Sequence, residues 1–186
     1  MNKFERLFIP YKLKEVKRRA EVEDRQESTA EHIFSSLILA QYFLKKIDLD
    51  ESRVNKLILY HDMVEIYSGD TFILDEEHHK SKKERENKAL DRLKQELPEE
   101  LSKDLEKYWL EYENGETKEA RFCMAIDKLD GMYQNIKSPH LWKKWNFTEE
   151  KLRSKKEHLF QEFPEMLNFF NELIEYLKEK KVIIEE

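Results

Sequence analysis

The sequence predicts an all-α fold, a single compact domain of about seven or eight helices over residues 1–186. Two observations support this prediction. The chain has 3 glycines and 4 prolines, too few for the many turns of a β-sandwich or barrel. Apolar residues also recur at spacings of three and four, which places them on one face of a helix. A chain of this length can bury a substantial core.

The charge balance and the cysteine content narrow the expected partners and compartment. The formal net charge is −6, which disfavours a nucleic-acid duplex as partner. The single cysteine, Cys123, excludes an internal disulfide and fits a reducing compartment. No apolar run approaches the length of a membrane span, and the N-terminal residues lack the apolar core of a signal peptide. We therefore expect a cytoplasmic protein that does not bind a membrane.

The first elements follow from helix signals and charge. Residues 3–17 mix apolar and lysine side chains, which predicts an amphipathic helix that Pro10 divides or kinks. Residues 17–26 are dense in charge, so we expect a solvated loop. Ser28 and Glu31 then form the capping-box pattern, which predicts the start of a helix with a broad apolar stripe.

The rest of the chain repeats the helical pattern, and polar or proline-containing segments separate the helices. Helices are predicted over residues 51–65, 83–96, 98–112, 117–130, 148–160 and 164–180. Gly115 is a natural stop for one of them. The aromatic segment between Ser138 and Phe147 is expected to be loop-like, because Pro139 ends the preceding pattern.

One predicted helix ends in ionisable side chains. His61 and Asp62 follow an apolar run, and Glu65 lies four residues after His61, which predicts that both project from one helical face. Burying such side chains is costly unless they are paired or bound to a metal. Gly69 allows a tight turn directly before Asp70. The cost of burial is a first indication of a functional site.

Five ionisable residues lie within otherwise apolar helices: His32, His61, Asp62, Glu65 and Asp127. Imidazoles and carboxylates together suit one divalent metal ion, either Mn, Co, Fe, Ni or Zn, with Mg less suited. Such a metal would make hydroxide available near neutral pH, which is the chemistry of hydrolysis. Spacing alone also allows His61 to be a core histidine hydrogen-bonded to a neighbour. Asp127 could likewise pair with Lys128 or Arg121.

Three short motifs carry a family resemblance. Ala30-Glu31-His32, then His61-Asp62, then Asp127 resembles the H…HD…D signature of the HD superfamily of metal-dependent phosphohydrolases. Longer blocks over residues 25–32, 61–71 and 116–130 are similar to the branch that contains the bacterial 5′-deoxynucleotidases. The resemblance covers residues 10 to 150 and implies the all-α HD-domain fold. The last helices carry no motif of this family.

The resemblance implies a role for each matching residue. Four of them would bind the metal: His32, His61, Asp62 and Asp127. Glu65 would orient or deprotonate the attacking water. Asp70 would lie on the leaving-group side as a proton donor or orienter, and a carboxyl beside metal and phosphate can keep a raised pKa.

The resemblance also implies that an arginine ahead of the His32 helix holds the phosphate, because guanidinium matches phosphate oxygens bidentately. Arg18 aligns best, and Arg19 or Arg25 could fill the role. The tryptophan that often follows this arginine in the characterised nucleotidases is absent, and Arg19-Ala20 stands there. Phosphohydrolase activity is therefore implied more firmly than a preference for deoxyribose.

Release of phosphate from (deoxy)nucleoside 5′-monophosphates by metal-activated water is the activity that the resemblance implies. The expected partner is thus a small phosphorylated molecule, and relatives suggest a homodimer. One alternative is an HD-superfamily hydrolase of another phosphorylated metabolite. Alarmone hydrolases carry a Glu-Asp pair after His-Asp, whereas Glu65 is followed by Ile66 here. A second alternative is a non-catalytic helical module that binds metal or nucleotide.

Overall fold

The structure is a computed structural model that describes residues 1–183. Its elements in chain order are α1 (Lys3–Phe8), β1 (Lys17–Val22), β2 (Arg25–Ser28), α2 (Thr29–Leu44), α3 (Glu51–Tyr60), α4 (Glu65–Ser68), α5 (Glu76–Lys80), α6 (Lys82–Glu96), α7 (Glu99–Asn114), α8 (Lys118–Gln134), α9 (Pro139–Lys144), α10 (Glu149–Lys156) and α11 (Pro164–Glu179). The predicted all-α class is confirmed, since helices dominate and β1 and β2 form only a small sheet. Within residues 1–183, no helix has the length and apolar composition needed to cross a bilayer.

In the N-terminal segment, the predicted division of the first helix near Pro10 is confirmed, whereas the predicted loop is wrong. The first helix ends at Phe8, and Ile9–Lys14 continue as a 3-10 helix with Pro10 in its first turn, where the missing proline N–H costs nothing. The segment expected as a loop forms the antiparallel hairpin of β1 and β2. Charged residues are depleted in strands, so composition alone did not indicate this hairpin.

The alternation of side chains along β1 positions the arginines. Lys17 and Arg19 are exposed, whereas Arg18 is partly buried and Ala20 is buried. Successive side chains of a strand point to opposite faces, so Arg18 and Ala20 face the protein. The hairpin register shifts between Lys17 and Glu21, which indicates a bulge.

The helix predicted over residues 51–65 is interrupted. It ends at Tyr60, and α4 begins only at Glu65, with a turn between them. The turn predicted at Gly69 is confirmed, because this residue ends α4 with φ +72° and ψ 159°, a conformation open essentially to glycine. The segment expected to be loop-like near Pro139 instead forms α9, which proline can begin because its fixed φ suits the first turn.

The core is built around α8, which packs against α2, α3 and α7. The capping box predicted at Ser28 and Glu31 is present and starts α2. Thr117 caps α8 by accepting the N–H of Ala120. Five apolar side chains of α8 are fully buried: Ala120, Phe122, Ala125, Ile126 and Leu129. Asp127 and Asp130 lie on the same helix and are buried with them.

Candidate active site

The four residues predicted as metal ligands converge from three elements. His32 lies in the first turn of α2, His61 and Asp62 lie in the turn after α3, and Asp127 lies on α8. The donor atoms of His32, His61 and Asp127 lie within 4.8 Å of one another. The Oδ2 atom of Asp62 is 3.2 Å from His61 Nε2 and 3.6 Å from His32 Nε2. Residues that are distant in sequence thus form one compact donor cluster.

Both imidazoles present a free nitrogen to this cluster. His32 Nδ1 lies 2.7 Å from Asp130 Oδ2, and His61 Nδ1 lies 2.7 Å from the carbonyl oxygen of Ile58. These partners favour a proton on Nδ1 and a lone pair on Nε2, the usual arrangement of metal-binding histidines. Both Nε2 atoms are buried and lack a hydrogen bond of acceptable geometry within residues 1–183. The residues therefore fit a divalent cation.

One carboxylate oxygen of Asp127 faces the cluster, and the other accepts hydrogen bonds from neighbouring side chains. Its Oδ2 accepts hydrogen bonds from the hydroxyl of Tyr112 at 3.0 Å and from Lys128 Nζ at 2.7 Å. Its Oδ1 lies 3.2 Å from His32 Nε2. The pairing with Lys128 that spacing allowed is present, and it leaves Oδ1 available as a ligand.

The electrostatics of the cluster favour added positive charge. Burial and the charge of Arg18 lower the pKa of His32, but the carboxylates of Asp127 and Asp130 raise it, with a net rise to about 10. Burial acts to raise the pKa values of Asp62 and Asp127, yet neighbouring imidazoles and cations hold both below their usual range. Both carboxylates are thus ionised at neutral pH, and a divalent cation can supply the charge in place of a proton.

Glu65 lines the same cavity as His61 and Asp62. Its Oε2 accepts a hydrogen bond of 2.8 Å from the hydroxyl of buried Thr29. Burial and the nearby charges of Asp62 and Asp70 raise the pKa of Glu65 well above its usual value. A carboxylate of raised pKa is a better proton acceptor at neutral pH, which suits a group that deprotonates water.

Arg18 lies between three carboxylates at the edge of the cluster. Its Nη1 is 3.1 Å from Asp62 Oδ2 and 3.6 Å from Asp70 Oδ1, and its Nε is 3.4 Å from Glu27 Oε2. Burial acts to lower the pKa of Arg18, but Asp62 and the other acids raise it above its usual value. Burial also raises the pKa of Asp70, and it raises that of Glu27 to about 7. Arg18 is therefore a fixed cation in an acidic environment.

The other two candidate arginines lie farther out. Arg19 is exposed at the rim of the cavity. Arg25 makes a bidentate pair with Glu31 at 2.5 and 2.9 Å, with about half of its side chain exposed. Arg25 is not among the residues that line the cavity. Of the three, Arg18 is placed at the donor cluster.

The cluster opens into a cavity of about 390 Å³. This volume is within the range of small-molecule sites. Its wall also carries a set of aromatic and aliphatic side chains: Phe72, Ile73, Trp142, Trp145, Phe147 and Leu152. A cavity with ionised groups and aromatic surface suits a ligand that has both an anionic and an apolar part.

Comparison with known proteins assigns the chain to a family. The family model described as HD domain matches residues 11–167. The chain belongs to the HD domain family. The resemblance drawn from the three sequence motifs is thereby confirmed, and the donor cluster comprises the histidine and aspartate residues of those motifs.

Curated relatives of this HD domain carry one name. The protein named 5′-deoxynucleotidase HDDC2 from Homo sapiens is 34% identical over 110 residues, which cover 59% of this chain and 53% of that protein. Its counterpart from Mus musculus is 32% identical over 111 residues, covering 60% and 55% of the two chains. The chain spans about half the length of the curated relatives it matches.

Solved structures extend the similarity to nearly the whole HD domain. A structure from Magnetospirillum magnetotacticum, described as a predicted metal-dependent phosphohydrolase, is 29% identical and aligns over 97% of both chains with a TM-score of 0.81. A conserved hypothetical protein from Pyrococcus furiosus aligns with a TM-score of 0.60 at 22% identity, over 95% of this chain and 99% of that chain. The second similarity shows the fold alone.

Sequence reasoning missed three residues of this HD site. Asp130 lies three residues after Asp127, a spacing that places both on one face of α8, and this signal could have been used. Thr29 lies next to a helix start, and Glu27 lies in a charged segment. No sequence signal marks either of them: Thr29 contacts Glu65, far along the chain, and Glu27 contacts Arg18 across a hairpin that the sequence did not indicate.

Replacing Asp130 with alanine is expected to weaken divalent-metal binding about 10- to 100-fold, since it removes the partner that holds the His32 ring. Competition with a chromophoric chelator measures the affinity. Asp130→Asn is the matched control, because its amide oxygen can still accept the Nδ1 proton, and we expect a smaller loss. Equal affinity of Asp130→Ala and the wild type would show that His32 needs no such support.

Proposed function

We propose that this HD domain is a metal-dependent phosphohydrolase that releases phosphate from (deoxy)nucleoside 5′-monophosphates. The observation that carries the proposal is the single cluster formed by His32, His61, Asp62 and Asp127 beside buried Glu65. The names of the curated relatives support the nucleotide as substrate. The cavity, which combines charged and aromatic walls, fits that class of ligand in size and chemistry.

The donor cluster would hold one divalent metal ion through His32 Nε2, His61 Nε2, Asp62 and Asp127 Oδ1. When bound, the metal would supply Lewis acidity for the phosphate and lower the pKa of water. The donor set accepts Mn, Co, Fe, Ni or Zn. The protein thus provides a site with nitrogen and oxygen ligands from rigid elements.

Arg18 would act on the phosphate group, and Glu65 would act on the attacking water. The charged guanidinium of Arg18 faces the cluster and can bind phosphate oxygens, which orients phosphorus for in-line attack. Glu65 accepts a proton from the attacking water while the oxygen of that water forms the new bond to phosphorus. The hydroxyl of Thr29 holds Oε2 of Glu65, so Oε1 is the oxygen available for this proton.

Asp70 would serve the leaving group. The bond from phosphorus to the nucleoside 5′-oxygen breaks as the new bond forms, and the departing oxygen needs a proton. Burial raises the pKa of Asp70, so this carboxyl can hold a proton that it donates to the 5′-oxygen. Arg18, 3.6 Å away, limits that rise and fixes the position of the carboxyl.

Phosphate release from a panel of ribo- and deoxyribonucleoside 5′-monophosphates tests the proposal. The protein is stripped of metal and then supplied with Mn, Co, Ni, Zn or Mg one at a time. We expect turnover that depends on a transition metal, with little support from Mg. Comparison of ribose and deoxyribose substrates measures the effect of Arg19-Ala20 in place of tryptophan.

Inactivity toward every nucleotide with every metal would overturn the proposal. Sugar phosphates and other phosphorylated metabolites added to the panel identify the first alternative, an HD hydrolase with a different substrate. Metal-dependent nucleotide binding without turnover identifies the second, a non-catalytic module. The homodimer, the cytoplasmic location and the single-domain organisation stay predictions.

A further inference from the structure

Five basic side chains line the cavity: Arg18, Arg19, Lys82, Lys128 and Lys156. Most of their charge is already compensated. Lys82 Nζ lies 3.5 Å from Glu86 Oε1, and Lys128 Nζ lies 2.7 Å from Asp127 Oδ2. Arg18 lies among three carboxylates, as described above. The charges of Arg18, Lys82 and Lys128 are thus balanced by acidic neighbours within the protein.

Lys156 differs from the other basic residues of the cavity. It is 8% exposed, and no carboxylate among residues 1–183 forms an ion pair with it. Its Nζ donates one hydrogen bond, of 3.0 Å, to the carbonyl oxygen of Lys128. An ammonium group has three donors, so two remain for a ligand. Arg19 also lacks an acidic partner in the described chain, but it is exposed.

Lys156 lies close to the donor cluster along α8, because the residue whose carbonyl it contacts, Lys128, directly follows Asp127. Leu152, one turn earlier on α10, lines the same cavity. The Lys156 charge interacts with those of Asp127 and Arg18, and burial together with Lys128 lowers the pKa of Lys156 to about 7. A buried cation without a counter-ion is costly. Such a cost is typical of residues that serve a ligand.

We propose that Lys156 binds the phosphate group of the substrate as a second cation in addition to Arg18. The proposal rests on the proposed function for the identity of the ligand. The cavity wall carries six acidic residues in addition to its five basic ones: Asp62, Glu65, Asp70, Glu86, Glu113 and Asp127. A phosphate dianion entering this acidic wall gains from an uncompensated ammonium donor, which acts as a point charge.

Titration of the metal-loaded protein with inorganic phosphate, followed by calorimetry, tests Lys156 without requiring turnover. We expect Lys156→Met to raise the Kd for phosphate about 10- to 100-fold, the usual effect of losing a hydrogen bond from a charged group. Lys155→Met is the matched control: it removes one exposed positive charge from the same helix, and we expect it to bind phosphate as the wild type does.

Thermal unfolding separates binding from a structural role. Methionine is unbranched, replaces the aliphatic part of lysine and removes a desolvated charge, so we expect Lys156→Met to keep or raise the Tm. A lower Tm with unchanged phosphate affinity would overturn the proposal and identify Lys156 as a link from α10 to α8. A wild type that binds no phosphate would overturn it as well. If Lys156→Met does not fold, Lys156→Gln undergoes the same titration.

The same variants distinguish failure of this inference from failure of the proposed function. A wild type that hydrolyses nucleotides, with an unchanged KM in Lys156→Met, leaves the proposed function in place and overturns the role of Lys156. Phosphate binding that depends on Lys156 in a protein inactive toward every nucleotide supports the role of Lys156 and overturns the nucleotidase activity.

Discussion

Replacing His61 with alanine is expected to abolish phosphate release and to weaken divalent-metal binding by more than about 100-fold. Loss of a residue that merely orients a ligand costs up to about 100-fold, and His61 would be a ligand itself. Its Nε2 lies 3.2 Å from Asp62 Oδ2, and nothing else on the turn after α3 can replace an imidazole there. Metal affinity by chelator competition and turnover of nucleotides measure the two effects.

His79→Ala is the control for this variant, since it removes an exposed imidazole from α5 and should change neither quantity. His61 also bonds to the carbonyl oxygen of Ile58, so the Tm of the metal-free variant must be compared with that of the wild type. A folded His61→Ala variant with normal turnover would place the hydrolytic activity outside this cluster.

Glu65→Gln is expected to reduce kcat about 10²- to 10⁴-fold, the usual contribution of a positioned general base. Glutamine keeps the shape of the side chain and can still accept the hydrogen bond from Thr29. It cannot take up the proton of the attacking water. Because Glu65 is not assigned as a ligand, metal affinity should stay close to that of the wild type. Steady-state kinetics and chelator competition on the same preparation measure both.

Glu113→Gln provides a strict control, because Glu113 lines the same cavity but is exposed. It removes a carboxylate from the wall without reaching the donor cluster, and kcat should be retained. If Glu65→Gln lost metal and activity together, Glu65 would be a ligand and not the proton acceptor. If it kept its kcat, another group would have to deprotonate the water.

The donor cluster could be predicted from the sequence, and the hairpin could not. His32, His61 and Asp127 are ionisable residues within apolar helices, where burial is costly enough to indicate a purpose, and the resemblance to the HD motifs indicated that this purpose is metal binding. The hairpin over Lys17–Ser28 carries mostly charged side chains. Strand preference depends on packing against neighbours, and those neighbours are distant in sequence.

Two further features could not be predicted from the sequence: the break between α3 and α4, and the role of Lys156. A continuous helical pattern runs through His61–Val64, and the chain there turns to bring its ligands toward α2 and α8. Lys156 lies in a segment rich in lysine and glutamate, where the sequence predicts that every charged side chain is exposed to solvent. Only the packing of α10 against the cavity shows that one of these lysines is buried.

A change in chain length ahead of β1 would alter which basic side chain faces the site, because side chains alternate along the strand. Lys17, Arg18 and Arg19 are consecutive, and the middle one faces the cluster. Loss of one residue ahead of the strand would bring Arg19 to the inward position, and gain of one residue would bring Lys17 there. Either slip in register preserves a positive charge at that point, and only an arginine preserves the two-pronged geometry that suits phosphate. Either slip also brings a charged residue, Glu21 or Arg19, to the buried position of Ala20.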